Sequence, residues 1–406
     1  MSLINKLEDE IKGIWTIDTH EHIYPFNTII KKNPTIFEIL EGSYVSWIVP
    51  MPKKSDYEEL SRRLKRVRGS AFLKSCIKAI HDIYGVDIRD LSPYSLMLAS
   101  KKINEAYKNK EWQREVLRRA RIKKCILDPY WNIWIEEYDK ELFVLALRIN
   151  MFLFGYNTEA RDHNGNSPYD LAKKLGYAIN NFDDYLDFID KVFQRAKERG
   201  FVCLKSALAY DRALYFEEVS EEEARRIFGK SENELSQKEK MKFGDFIMHY
   251  ILSKAEEYSF PIQIHTGLAI IEGSNPMNLV NLFRKYPNVK FILFHGGYPW
   301  TSEIASLLLS FPNVYADLCW LPIISPTAAS RLLRELIEIT GGSRIMWGGD
   351  CWVVEGAYGA LLTMKQILIK VLAEYIEERF LTLSDAISIA ESILRLNAEE
   401  LFNLKY

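Results

Sequence analysis

Four of the seven histidines and one aspartate stand at the ends of hydrophobic segments. His20 and His22 lie in Ile17-Asp18-Thr19-His20-Glu21-His22, and His265 ends Ile262-Gln263-Ile264-His265. His295 follows Phe291-Ile292-Leu293-Phe294, and Asp350 follows Met346-Trp347-Gly348-Gly349. Alternate residues of a β-strand share a face, so His20 and His22 can grip one ion from the same side. Imidazole and carboxylate together suit zinc or a neighbouring divalent metal such as manganese, and three or four such ligands leave a position for water. A lone His-x-His says little; its recurrence with strand-end His, His and Asp, in that order, says much more.

The elements that must position these groups are short β-branched runs separated by helical stretches. Eight candidate strands fall at 13–19, 122–127, 143–149, 201–206, 261–265, 289–295, 313–318 and 344–349. Strands alternating with helices predict a parallel sheet, and eight of them close a (β/α)8 TIM barrel. Barrel enzymes carry their catalytic groups at the carboxyl ends of strands, where the histidines and Asp350 are expected. The whole of 1–406 is read as one barrel, with a helical insertion or cap at 27–120 after the first strand. A smaller charged insertion, about 211–245, follows the fourth. The basic stretch Arg62-Arg63-Leu64-Lys65-Arg66 reads as a solvated helix face rather than a polyanion site.

An apolar share of 48% supports a large core, while a net charge of −2 and a pI near 6.4 make no case for nucleic acid or an anionic membrane as partner. The start, Met1-Ser2-Leu3-Ile4-Asn5-Lys6, lacks an apolar signal core, and no run approaches the roughly 20 apolar residues of a membrane helix. Cys76, Cys125, Cys203, Cys319 and Cys351 are dispersed and read as reduced core thiols of a cytoplasmic protein. The expected partner is a small-molecule substrate, with a homo-oligomer through the helical insertion as a further expectation.

The ordered set His20, His22, Lys205, His265, His295 and Asp350 resembles the amidohydrolase superfamily, in its amidohydrolase-2 branch. Two stretches are similar to the amidohydrolase-like domain of the plant nodulin and fungal FluG type. One is Cys203-Leu204-Lys205-Ser206-Ala207-Leu208-Ala209-Tyr210-Asp211-Arg212; the other runs from Gln263-Ile264-His265-Thr266-Gly267 to His295-Gly296-Gly297-Tyr298-Pro299-Trp300 and on to Asp317. The likeness extends from about 200 to the end, is anchored at 15–24 and is thin from 27 to 120.

The resemblance implies a metal held by His20, His22, His265 and Asp350. A divalent ion lowers the pKa of water and so supplies a nucleophile near neutrality. Asp350 would take up the proton of that water and deliver it to a leaving amine. His295 would bind a second metal or polarise a substrate oxygen. Lys205 would either be carboxylated and bridge two ions or act as an ordinary ammonium, so one or two ions are expected. In the nodulin-like group an acidic residue follows Arg-Ile after strand three; here it is Asn150. Arg212, Tyr210 and Arg148, with Arg161 and His163, are candidates for substrate, the arginines for bidentate capture of a carboxylate. Asp18 is expected to orient a ligand, whereas His81 and His249 receive no role.

The reading that follows is a metal-dependent hydrolase cleaving a C–N, amide-type bond of a small carboxylate-bearing substrate. Non-oxidative decarboxylation and uronate-type sugar isomerisation are the alternatives, the latter suggested by the helical insertion. A regulatory barrel without activity is a fourth reading, and a full set of metal-type residues argues against it.

Overall fold

The strands of this protein are short, and several are buried on both faces, which is why they read as apolar runs rather than as alternating patterns. In the computed structural model, which describes residues 3–404, they are β1 (Thr16–Glu21), β2 (Ile122–Leu127), β3 (Phe143–Arg148), β4 (Phe201–Ser206), β5 (Ile262–Ile264), β6 (Phe291–Leu293), β7 (Val314–Asp317) and β8 (Ile345–Met346). They form one eight-stranded sheet in the order β1 to β8, and helices alternate with the strands. The fold is a (β/α)8 TIM barrel. β1 pairs with β2, and β3 through β7 pair in turn, all in parallel, as in Arg148 beside Lys205 and Lys205 beside Gln263. The Met1-Ser2 part of the chain start read above lies outside the described residues.

Most boundaries differ from expectation by a residue or two, and the first and last strands differ most. The first strand begins later than 13 because Leu3–Gly13 is a helix, and it runs on to Glu21. β8 keeps only two ladder residues, although the carbonyls of Trp347 and Gly348 still accept from Thr19 N and Trp320 N.

Chain contacts divide the molecule into two compact units. One contains the described residues up to 127, with 137–143 and 318–400; the other contains 128–136, 144–317 and the residues from 401 on. The first unit holds β1, β2, β8 and the segment between β1 and β2. That segment is helical throughout its ordered elements, including Ile36–Glu41, Tyr57–Arg66, Ala71–Tyr84, Pro93–Ala106 and Trp112–Arg119. Their starts follow ordinary capping chemistry. Thr35 and Glu38 form a capping box, and Ser70 and Ser92 each accept from a backbone N–H of the first turn. Arg62 and Arg63 both reach Glu59 at 2.6 Å, a local pairing on a surface helix.

Helix Val354–Glu377 follows β8. It is long and apolar enough to cross a membrane by length and composition, with a mean hydropathy of 1.2, which the sequence reading had not anticipated. Its apolar window is 72% buried within the structure, as expected of a core helix. The second unit holds β3 to β7 and the charged excursion after β4, which forms Glu221–Ile227 and then joins Gln237–Glu257. All five cysteines are buried, and none of them forms a disulfide.

Candidate metal centre

In the first unit the chain after β1 and the chain after β8 continue to pair beyond the strands. Asp350 N donates to His20 O at 2.8 Å, His22 N to Cys351 O at 2.9 Å and Tyr24 N to Trp352 O at 3.2 Å. This pairing brings three side chains together. His22 Nε2 lies 3.2 Å and His20 Nε2 3.7 Å from the same Asp350 oxygen, Oδ1, and all three residues are buried. Two imidazole nitrogens converging on one carboxylate oxygen form a donor set of the kind a divalent cation organises. Asp350 takes up a left-handed conformation, φ +62°, uncommon for a non-glycine residue.

The close approach depends on glycine. A Cβ at Gly348 would meet His20 N at 2.8 Å, and one at Gly349 would meet Glu21 Oε1 at 2.1 Å. Asp18, expected from sequence to orient a ligand, accepts instead from the backbone, from His20 N at 3.2 Å and Gly349 N at 3.0 Å. Glu21 accepts from Cys351 N at 2.6 Å, so two buried carboxylates clasp the segment that presents Asp350. Burial, with Asp18 and then Asp350 nearby, holds the Glu21 carboxyl well above the usual range. Sequence reasoning passed over Glu21. Its signal was a glutamate in a strand whose every residue is buried.

Aromatic rings wall this group. Trp352 stacks on His22 at 5.4 Å. Tyr44, from the segment between β1 and β2, donates its hydroxyl to Asp350 O at 2.6 Å and packs on Trp320 and Trp352 at 4.7 and 4.9 Å. Trp47, 57% exposed, meets Trp320 edge-on at 5.1 Å. Trp347 is fully buried in the core and Trp300 is half-buried.

The second unit gathers a basic group at the ends of β3 to β6. His265 Nε2 lies 2.7 Å from Leu268 O, and its Nδ1 lies 2.9 Å from His295 Nε2. With Nε2–H donating to that carbonyl, Nδ1 carries the lone pair, the arrangement by which backbone carbonyls orient ligating imidazoles. Burial pushes the His265 pKa well below its ordinary value, and His295 and Lys205 push the same way. The ring is therefore neutral, which is the ligating form. His295 is also left-handed, φ +62°. Lys205 is buried with Nζ 3.8 Å from the centre of the Phe294 ring.

The candidate substrate residues part company. Arg148 is buried and bidentate on Asp128, Nη2 at 2.5 Å and Nε at 3.2 Å. Asp128, directly after β2, went unnoticed in the sequence because it follows its strand without any motif. Tyr210 is 37% exposed and lays its ring 4.5 Å from that of His265. His163 packs on its other side at 5.2 Å and pairs with Asp211 at 2.8 Å. Asn150 donates to Asp211 and accepts from Ala207 N, both at 2.8 Å.

Arg212 corrects the expectation. Its guanidinium is taken up by Asp245 at 2.5 Å and by the carbonyls of Ala213, Tyr215 and Met241. It closes the base of the excursion instead of presenting a free fork. Arg161 donates to Thr158 O and Ala160 O, and His249 pairs with Tyr286.

Comparison with known proteins bears on the same region. Residues 213–404 match the family model described as Amidohydrolase, Amidohydro_2. Protein fluG of Emericella nidulans is 29% identical over 260 residues, 60% of this chain and 30% of the relative, so the chain spans less than a third of that protein. Among solved structures, a uronate isomerase from Thermotoga maritima has a TM-score of 0.79 at 16% identity, covering 98% of this chain and 97% of that one. A glucuronate isomerase from Caulobacter crescentus has a TM-score of 0.76 at 14% identity, covering 100% and 94%. At such identities the likeness is one of fold.

Proposed function

We propose that this chain, whose residues 213–404 match the Amidohydrolase model, is a metal-dependent hydrolase of the amidohydrolase-2 branch that cleaves a C–N, amide-type bond of a small, carboxylate-bearing molecule. The observation that carries the reading is the convergence of His20 Nε2 and His22 Nε2 on Asp350 Oδ1 in a buried setting. The donor set fits a divalent ion, zinc by ligand type. His20, His22 and Asp350 would hold it. Bound there, such an ion supplies Lewis acidity and lowers the pKa of water.

The chain's own residues do the rest. Asp350, clasped through its neighbours by Asp18 and Glu21, takes up a proton and returns it to the leaving nitrogen. His295 and Lys205 present donors to a developing oxyanion. Tyr210 forms part of the contact surface, while Arg148 gives its guanidinium to Asp128 and fixes that carboxylate in place. Lys205 lies over the Phe294 ring, a contact that an ammonium makes favourably.

Uronate isomerisation is the second reading. It is favoured by the coverage of the solved uronate isomerases, which spans the helical segment between β1 and β2 as well as the strands.

Plasma mass spectrometry of protein purified without chelator tests the metal. About one equivalent is expected, lost in His20→Ala and kept in Lys205→Ala. No metal, even after addition of zinc or manganese, sinks the reading. With metal present, amine release from N-acyl carboxylates supports the hydrolase, and conversion of glucuronate to its ketose supports the isomerase.

A further inference from the structure

Most cations on this surface are neutralised locally. Arg225 pairs with Asp183 and Glu221, and Lys254 with Asp190 and Glu257. One place departs from the pattern. Helices Ala71–Tyr84, Pro326–Thr340 and Val354–Glu377, all in the first unit, line a groove of about 560 Å³. It carries Lys74, Lys78, Arg331, Arg334 and Lys370, and among the described residues no carboxylate lines it. Arg334 is drawn to Glu374 and Glu378, beyond the lining. Lys74, Lys78 and Lys370 form no ion pair among the described residues, and Lys78 donates instead to the neutral Gln366.

Like charges held in one concavity repel, and with an overall charge of −2 the chain has no general excess of cations to distribute. Arg334 is answered by its two glutamates, and for the three lysines a counter-charge that enters from outside would relieve the convergence. The first turn of Pro326–Thr340 adds Thr327 and the positive end of a 15-residue helix to the rim. Burial lowers the Lys78 pKa, with Asp82 opposing, which shows that this ammonium is partly withdrawn from water. The volume falls in the range of small-molecule sites rather than of extended polymer tracks. Ala71, Pro326 and Ile367 supply apolar wall.

We propose that this groove binds a small multivalent phosphate-type anion. It is separate from the candidate metal ligands. Gln366 lies twelve residues along the helix that starts at Val354, about 18 Å from its beginning.

Calorimetric titration of the full chain with pyrophosphate tests the proposal. Saturable binding is expected, weakened at least about tenfold by Lys74→Glu/Lys370→Glu. Both lysines are exposed; should the reversal disturb folding, Lys74→Ala/Lys370→Ala is expected to weaken binding in the same direction. Absence of saturable binding, or binding indifferent to both variants, overturns the proposal. So does binding of heparin or RNA through these lysines with pyrophosphate inert, which would make the groove a polymer surface.

Discussion

Two glycines and two buried carboxylates decide whether His20, His22 and Asp350 meet. Gly349 has no room for a methyl, because Glu21 Oε1 would lie 2.1 Å from it. Gly349→Ala is therefore expected to cost about 1–3 kcal/mol of stability, as overpacking does, and to lower metal content with it. Chemical denaturation and metal analysis check both. Truncating the opposing side chain in Glu21→Ala/Gly349→Ala relieves the clash, so partial recovery of stability is expected. If Gly349→Ala melts like the parent, the close approach is not what holds the segment. Tyr44→Phe removes the hydrogen bond to Asp350 O and is expected to cost about 1 kcal/mol with the fold unchanged.

At the scale of elements, the segment between β1 and β2 is fastened to a barrel helix through one carboxylate. Glu355, in the first turn of Val354–Glu377, is fully buried and accepts from Tyr84, Tyr107 and Trp112, which come from three successive helical elements of that segment. Glu355→Ala removes the acceptor of Tyr84 and Tyr107 and leaves Trp112 only its longer contact to the Tyr84 hydroxyl, 3.3 Å, so a loss of about 3–5 kcal/mol is expected in denaturant titration. Burial raises the Glu355 pKa against the lowering effect of those donors. The folded chain therefore holds this proton more tightly than the unfolded chain. Its contribution is fully present below the ordinary carboxylate pKa and is lost as pH rises through the raised value. Glu355→Gln cannot ionise. Its stability relative to the parent is accordingly expected to improve as pH rises across that window, and a pH series of melts that moves the other way refutes this.

For the whole molecule, a metal bound to the folded chain and not to the unfolded one stabilises by mass action, about 2.7 kcal/mol at a free concentration one hundred times Kd. Dialysis against chelator is thus expected to lower Tm, zinc to restore it, and His20→Ala to abolish the difference. An unchanged Tm in all three states would leave the converging ligands without a metal.

The sequence alone determined the barrel, because eight apolar runs separated by helical periodicity need only local pattern to be seen. It also located the strand-end His20, His22, His265, His295 and Asp350, since metal-type residues at strand ends have their positions fixed by the strand itself. What it left open depended on partners distant in the chain. Arg212 has the composition of a substrate-binding arginine, yet Asp245, 33 residues on, occupies it. Asp128 binds Arg148 across 20 residues, and Glu21 and Asp18 act on a segment about 330 residues away. Such choices follow from burial: a charged group withdrawn from water must take whatever complementary group the fold brings near, and only the tertiary structure says which one that is.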